Sequence, residues 1–174
     1  SAINATSGTN GGIPITFSDS DIAINTGNII TKNGENFTIN ITGLYEISGY
    51  VNYNPNRVSV GSSQKGFFLN LKLQLSNDNG TTWSDVIGNR TAWGFKTNNF
   101  LKTATLIATP INLTAGQTLR LVAQNPFGAS DTSTNHGENP STSPSAALPS
   151  ITISSRTPIS KNLTITLLDY DIQQ

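Results

Sequence analysis

Residues 67–75 read Phe67-Phe68-Leu69-Asn70-Leu71-Lys72-Leu73-Gln74-Leu75, and this stretch decides the fold class. Phe67, Leu69, Leu71, Leu73 and Leu75 fall at every second position, opposed by Asn70, Lys72 and Gln74. Successive side chains of a β-strand point to opposite faces, so the alternation builds one apolar and one polar face. A helix would scatter the same leucines around its circumference.

The same period recurs on either side. Phe37, Ile39 and Ile41 oppose Asn36, Thr38 and Asn40, and Tyr45, Ile47, Val51 and Tyr53 share a face beyond Gly43. Leu119 and Leu121 flank Arg120, and Leu163, Ile165 and Leu167 alternate with Thr164 and Thr166. Further apolar segments fall at 13–17, 22–30, 83–87, 101–108 and 150–154. Turn clusters lie between them: Asn33-Gly34, Thr42-Gly43, Asn54-Pro55-Asn56, Asn79-Gly80 and Ala115-Gly116. Asn and Gly accept the positive φ that tight hairpins demand. About eight to ten strands with polar outer faces predict two packed antiparallel sheets. The expected fold is an all-β, two-sheet antiparallel jelly-roll sandwich.

Composition agrees and excludes several functions. With 35% hydrophobic residues and zero net charge, the 174-residue chain is a folding sequence and not a disordered one. The ten Lys and Arg are scattered and form no basic stripe, which argues against nucleic acid and anionic membrane as partners. No apolar run approaches the roughly 20 residues of a membrane span. The absence of Cys rules out a thiol nucleophile and leaves the redox compartment unmarked.

Two stretches break the pattern. Residues 1–12 (SAINATSGTNGG) are small and polar and read as a linker or the stub of a stalk, with the domain proper at 13–174. Residues 125–149 hold four of the eight prolines and little periodicity, and read as a long loop insertion.

From Asn25 to Ile47 the order of residues resembles the signature of the complement C1q head, a branch of the C1q and tumour necrosis factor superfamily. Ile30 follows Asn25 after four residues, Phe37 follows Ile30 after six, and Gly43-Leu44-Tyr45-Glu46-Ile47 then stands for Gly-x-Tyr-x-Phe. Ile30 and Ile47 occupy positions where the family prefers aromatics, and Phe17 sits two residues early. Leu113 to Leu121 resembles the family's late turn-and-strand element, and Leu163 to Asp171 its buried closing strand. The Asn/Thr-rich composition is similar to that of secreted bacterial members. The resemblance implies a jelly roll and a homotrimer, whose obligate interfaces usually bury ~2,000 Å² or more. Within the motif, Gly43 is expected to turn one strand into the next, so that Phe37 and Tyr45 meet across a hairpin as an aromatic pair.

Ser76-Asn77-Asp78-Asn79-Gly80-Thr81-Thr82-Trp83 fits the Asp-box pattern, Ser-x-Asp-x-Gly-x-Thr-Trp, that sialidases use to stabilise hairpins away from their active sites. A hairpin alone accounts for every residue of it. No catalytic constellation stands out. The single His136 lies near Asp131 and Glu138 in a Pro/Ser/Asn-rich stretch, a poor mount for the rigid imidazole of a triad, and zinc has too few Cys and His to hold it. Asp19, Asp21, Asp131 and Glu138 are weak calcium candidates without a calcium-loop motif; otherwise no cofactor is implied. Seven Asn-x-Ser/Thr sequons (Asn4, Asn36, Asn40, Asn79, Asn89, Asn112, Asn162) read as surface polarity of an Asn/Thr-rich chain. The candidate ligand-binding residues are Arg90, Trp93, Phe95 and Lys96, read as a polar connecting stretch, together with Asp131 and His136 of the long loop.

The leading expectation is therefore an extracellular or cell-surface, non-catalytic recognition or adhesion head. It would be a homotrimer meeting a protein or glycan at loop tips or subunit clefts. A structural trimerisation or capping module of a surface fibre, spore layer or phage tail is the alternative, and a carbohydrate-binding module of a carbohydrate-active enzyme the next.

Overall fold

The computed structural model describes residues 2–3, 13–18, 26–55, 66–94, 102–124, 151–153 and 161–170. The strands are β1 (Ala2–Ile3), β2 (Ile13–Pro14), β3 (Ile30–Asn33), β4 (Asn36–Ile39), β5 (Gly43–Pro55), β6 (Gly66–Ser76), β7 (Ser84–Gly94), β8 (Lys102–Leu113), β9 (Thr118–Gln124), β10 (Ile151–Ile153) and β11 (Lys161–Tyr170). A single 3-10 turn, Thr26–Asn28, is the remaining regular element among the described residues.

All pairing is antiparallel and forms two sheets. In the first, β5 is central, with β8 along one side and β11 and then β10 along the other; β1 pairs β10. In the second the order is β3-β4-β9-β6-β7, and β2 pairs the far end of β9. The chain passes repeatedly between layers, β5 in one sheet, β6 and β7 in the other, β8 back, β9 across again. The molecule is a two-sheet antiparallel jelly roll. Ala2–Ile3, inside the stretch read as a linker, pair Thr152 and Ile151; the 125–149 insertion lies outside the described residues.

Alternation places the core as expected. Leu69, Leu71 and Leu73 of β6 and Leu119 and Leu121 of β9 are at most 1% exposed, and they face Tyr45, Ile47 and Val51 of β5 across the sandwich. Burial of each such side chain contributes about 1.5–3 kcal/mol. Gly49 lets β11 lie close: a Cβ there would stand 2.6 Å from the Asn162 carbonyl oxygen, so a side chain would push the strands apart.

One expectation within the motif fails. Gly43 does not close a hairpin; it opens β5, and Asn40–Thr42 carry the chain from one sheet to the other. Phe37 is paired to Lys32 and Leu119, and Tyr45 to Leu167 and Ile111, so the two are not cross-strand partners. Packed sheets stand ~10 Å apart, and the step between them needs more backbone than a two-residue hairpin supplies. Phe37 instead meets Phe17, ring centroids 5.6 Å apart and 73° between planes. Tyr45, fully buried, donates its hydroxyl to the Ile41 carbonyl at 2.6 Å and ties down the crossing. The turn between β8 and β9 braces the same corner: Gly116 N–H donates to the Ile39 carbonyl at 2.8 Å, and Ala115 N–H to Thr42 Oγ1 at 3.0 Å.

Candidate functional site

The residues chosen from sequence separate into two groups. Arg90 and Trp93 do not lie in a connecting stretch: β7 runs through to Gly94, with Arg90 paired to Asn70 and Trp93 to Phe67. Thr91, Ala92 and Trp93 are compatible with a strand, and a ten-residue partner in β6 extends the pairing past the point where apolar alternation fades. Phe95, Lys96, Asp131 and His136 lie outside the described residues, as do the calcium candidates Asp19, Asp21 and Glu138. Among the described residues no group of three His, Cys, Asp or Glu could hold a metal ion.

The Asp-box hairpin between β6 and β7 is built as its pattern demands. Ser76 Oγ donates to Asp78 Oδ1 at 2.7 Å and accepts the Gly80 N–H at 2.8 Å. The Asp78 carboxylate also accepts the Thr82 N–H at 2.8 Å and the Thr82 hydroxyl at 2.6 Å. These donors, Thr82 first, hold the Asp78 pKa down at about 2. Gly80 has φ +87 and lies over Trp83, whose indole N–H donates to the Gly80 carbonyl at 3.0 Å.

A polar network continues from this hairpin across the outer face of the second sheet. The Arg120 guanidinium lies 4.0 Å from the centroid of the Trp83 ring, and its Nε donates to Gln74 Oε1 at 2.9 Å. Gln74 Nε2 donates to Asp85 Oδ1 at 2.8 Å, and Lys72 Nζ pairs with Asp85 Oδ2 at 2.5 Å. Partial burial opposes ionisation of Asp85, but the bonds from Lys72 and Gln74 outweigh it and lower its pKa. Lys72, Asp85, Val86, Ile87 and Gly88 line a shallow open depression beside this network. No nucleophile there is paired with a base. Every charged group is committed to a neighbour, and the network supports the sheet.

Surface features that the sequence reading passed over are apolar. Val86, Ile107 and Leu168 are the exposed large hydrophobics among the described residues, at 37%, 68% and 51% exposure. Each sits at an irregularity of strand register. Val86 is skipped between the pairs Leu73–Ile87 and Gln74–Asp85. Ile107 and Ala108 together oppose Ser48, and Leu168 is skipped between Leu167 and Asp169. A bulge adds one residue to one strand and re-aims its side chain. Ile107 and Leu168 belong to β8 and β11, the two strands that flank β5 in the first sheet. The signal in the sequence was a doublet that breaks alternation: Val86-Ile87, Leu106-Ile107 and Leu167-Leu168.

Among the described residues no helix is long and apolar enough to cross a membrane. No protein-family model matches the sequence, and no curated protein is recognisably similar to it. Solved structures are. The structure of Eiger TNF from S. frugiperda superposes with a TM-score of 0.52 at 12% identity, covering 83% of this chain and 73% of that one. Murine APRIL superposes with a TM-score of 0.43 at 13% identity, covering 80% and 93%. At such low identity the likeness to the Eiger structure is one of fold, and the fold of this chain is a TNF-like jelly roll.

Proposed function

We propose that the chain is a non-catalytic recognition head that acts outside the cell as a homotrimer, in the manner of the secreted C1q and TNF-like proteins its motif resembles. One observation carries the reading: two large apolar side chains, Ile107 and Leu168, stand exposed on the strands flanking β5, each lifted out by a bulge. Burying such a side chain is worth about 1.5–3 kcal/mol, and sister copies of the same face supply the cover. A chain of zero net charge meets its own copies without long-range repulsion. The ligand, a protein or a glycan, is met at subunit clefts or loop tips, with 90–98, whose first five residues are the end of strand β7, and 125–149 the first choices, and no cofactor takes part. Native mass spectrometry at low micromolar concentration tests the assembly: trimers are expected, and monomers throughout would defeat the reading.

A further inference from the structure

Two Asn-Gly pairs occupy turns among the described residues, and the structure guards one and leaves the other open. At Asn79-Gly80 the Gly80 N–H is engaged by Ser76 Oγ at 2.8 Å. Asn79 itself is held in the left-handed region at φ 55, and Thr81 fixes the turn by donating its N–H and its hydroxyl to the Asp78 carbonyl. Asn33-Gly34 begins the turn between β3 and β4, in which Asn33 pairs with Asn36. Asn33 and Gly34 are both exposed, and beyond the two adjoining residues no atom lies within 4 Å of the place where a Gly34 Cβ would stand. Neither the Gly34 N–H nor the Asn33 amide makes a hydrogen bond within the described residues beyond the strand pairing.

From this difference the geometry points to Asn33 as a site of spontaneous covalent modification, intramolecular deamidation to aspartate and isoaspartate. The Gly34 backbone nitrogen gives its proton to hydroxide and attacks Asn33 Cγ, forming a new N–C bond. The Cγ–Nδ2 bond breaks, the nitrogen takes a proton from solvent and leaves as ammonia, and a cyclic succinimide remains. Water then adds to either of its carbonyls and opens the ring to aspartate or isoaspartate. The net change is water taken up and ammonia lost, with no oxidant or reductant. Glycine favours the step because it has no Cβ to obstruct the attacking nitrogen. At Asn79 the same attack must first break the bond from Gly80 to Ser76, which slows it by a factor on the order of ten.

The product adds one negative charge to a chain whose net charge is zero, and isoaspartate lengthens the backbone inside the β3–β4 hairpin. An isoaspartyl carboxyl methyltransferase is the class of enzyme that would recognise it.

The test is incubation of the intact chain in mildly alkaline buffer, followed by peptide mapping at Asn33 and Asn79 and by methyl transfer to isoaspartate. Parallel samples in concentrated urea give the intrinsic rate of each site. In the native protein Asn33 is expected to convert on the order of tenfold faster than Asn79, a gap that closes in urea. S76A is expected to speed Asn79 alone, and T81A, which spares the Ser76 bond, serves as the second variant. Equal native rates, a faster Asn79, or an Asn33 that converts only in urea would each overturn the assignment. If S76A folds and leaves Asn79 as slow as before, the hydrogen bond is not the guard and the argument falls.

Discussion

The Tyr45 hydroxyl donates a 2.6 Å hydrogen bond to the carbonyl of Ile41, four residues earlier, across the point where the chain leaves one sheet for the other. The ring is fully buried among the apolar residues of both sheets, so this bond satisfies a polar tip that would otherwise be left in the core.

Replacing Tyr45 by Phe is expected to keep the fold and to cost about 1 kcal/mol, the usual net worth of such a bond. Urea denaturation checks the value. Burial raises the Tyr45 pKa above its ordinary 10.0. The folded state therefore holds the phenolic proton more tightly than the unfolded one. This contribution is complete below the unfolded pKa and is lost as pH rises through the folded one. Y45F should remove that part of the alkaline instability.

Asp78 titrates in the opposite sense. Its carboxylate is held at about 2 by Thr82 and Ser76, below the ordinary 3.8. Its contribution is complete above 3.8 and disappears as pH falls toward 2. D78A should melt at a lower temperature than the parent at neutral pH, and the difference should shrink across that acid window. Melting temperature against pH, followed for both chains, reads it.

Arg120 joins the Asp-box hairpin to the neighbouring strand by stacking on Trp83 and bonding Gln74. R120A is expected to cost about 1–2 kcal/mol in urea denaturation and to alter Trp83 fluorescence in the native state. R120K keeps the charge but not the planar fork, and should recover only part of the loss.

Much of this was legible because alternation is a local signal. The leucines of residues 67–75 and the Leu119–Leu121 pair announce strands and say which face is buried, and the Asp-box residues specify their own hairpin. What the sequence concealed was non-local. Nothing between Phe37 and Tyr45 distinguishes a hairpin from a crossing between sheets, since Gly43 suits either and the choice is made by partners far along the chain, Leu119 for one and Leu167 for the other. Trp93 reads as part of a connection in the sequence because its strand is defined by pairing with β6 and not by its own pattern. The bulged residues did leave a trace, the doublets Leu106-Ile107 and Leu167-Leu168, which reads as ordinary strand hydrophobicity until the register shows one member displaced.

The central claim is that the exposed apolar residues of β8 and β11 meet sister subunits. Both side chains are largely exposed in the single chain, so I107D and L168D should leave the unfolding free energy of an isolated subunit within about 0.5 kcal/mol of the parent. Light scattering of the parent chain beside these two variants at one micromolar-range concentration is the direct measurement. The account predicts the mass of three chains for the parent and a fall toward one chain for each variant. A parent with the mass of a single chain, or variants that stay trimeric, would contradict it.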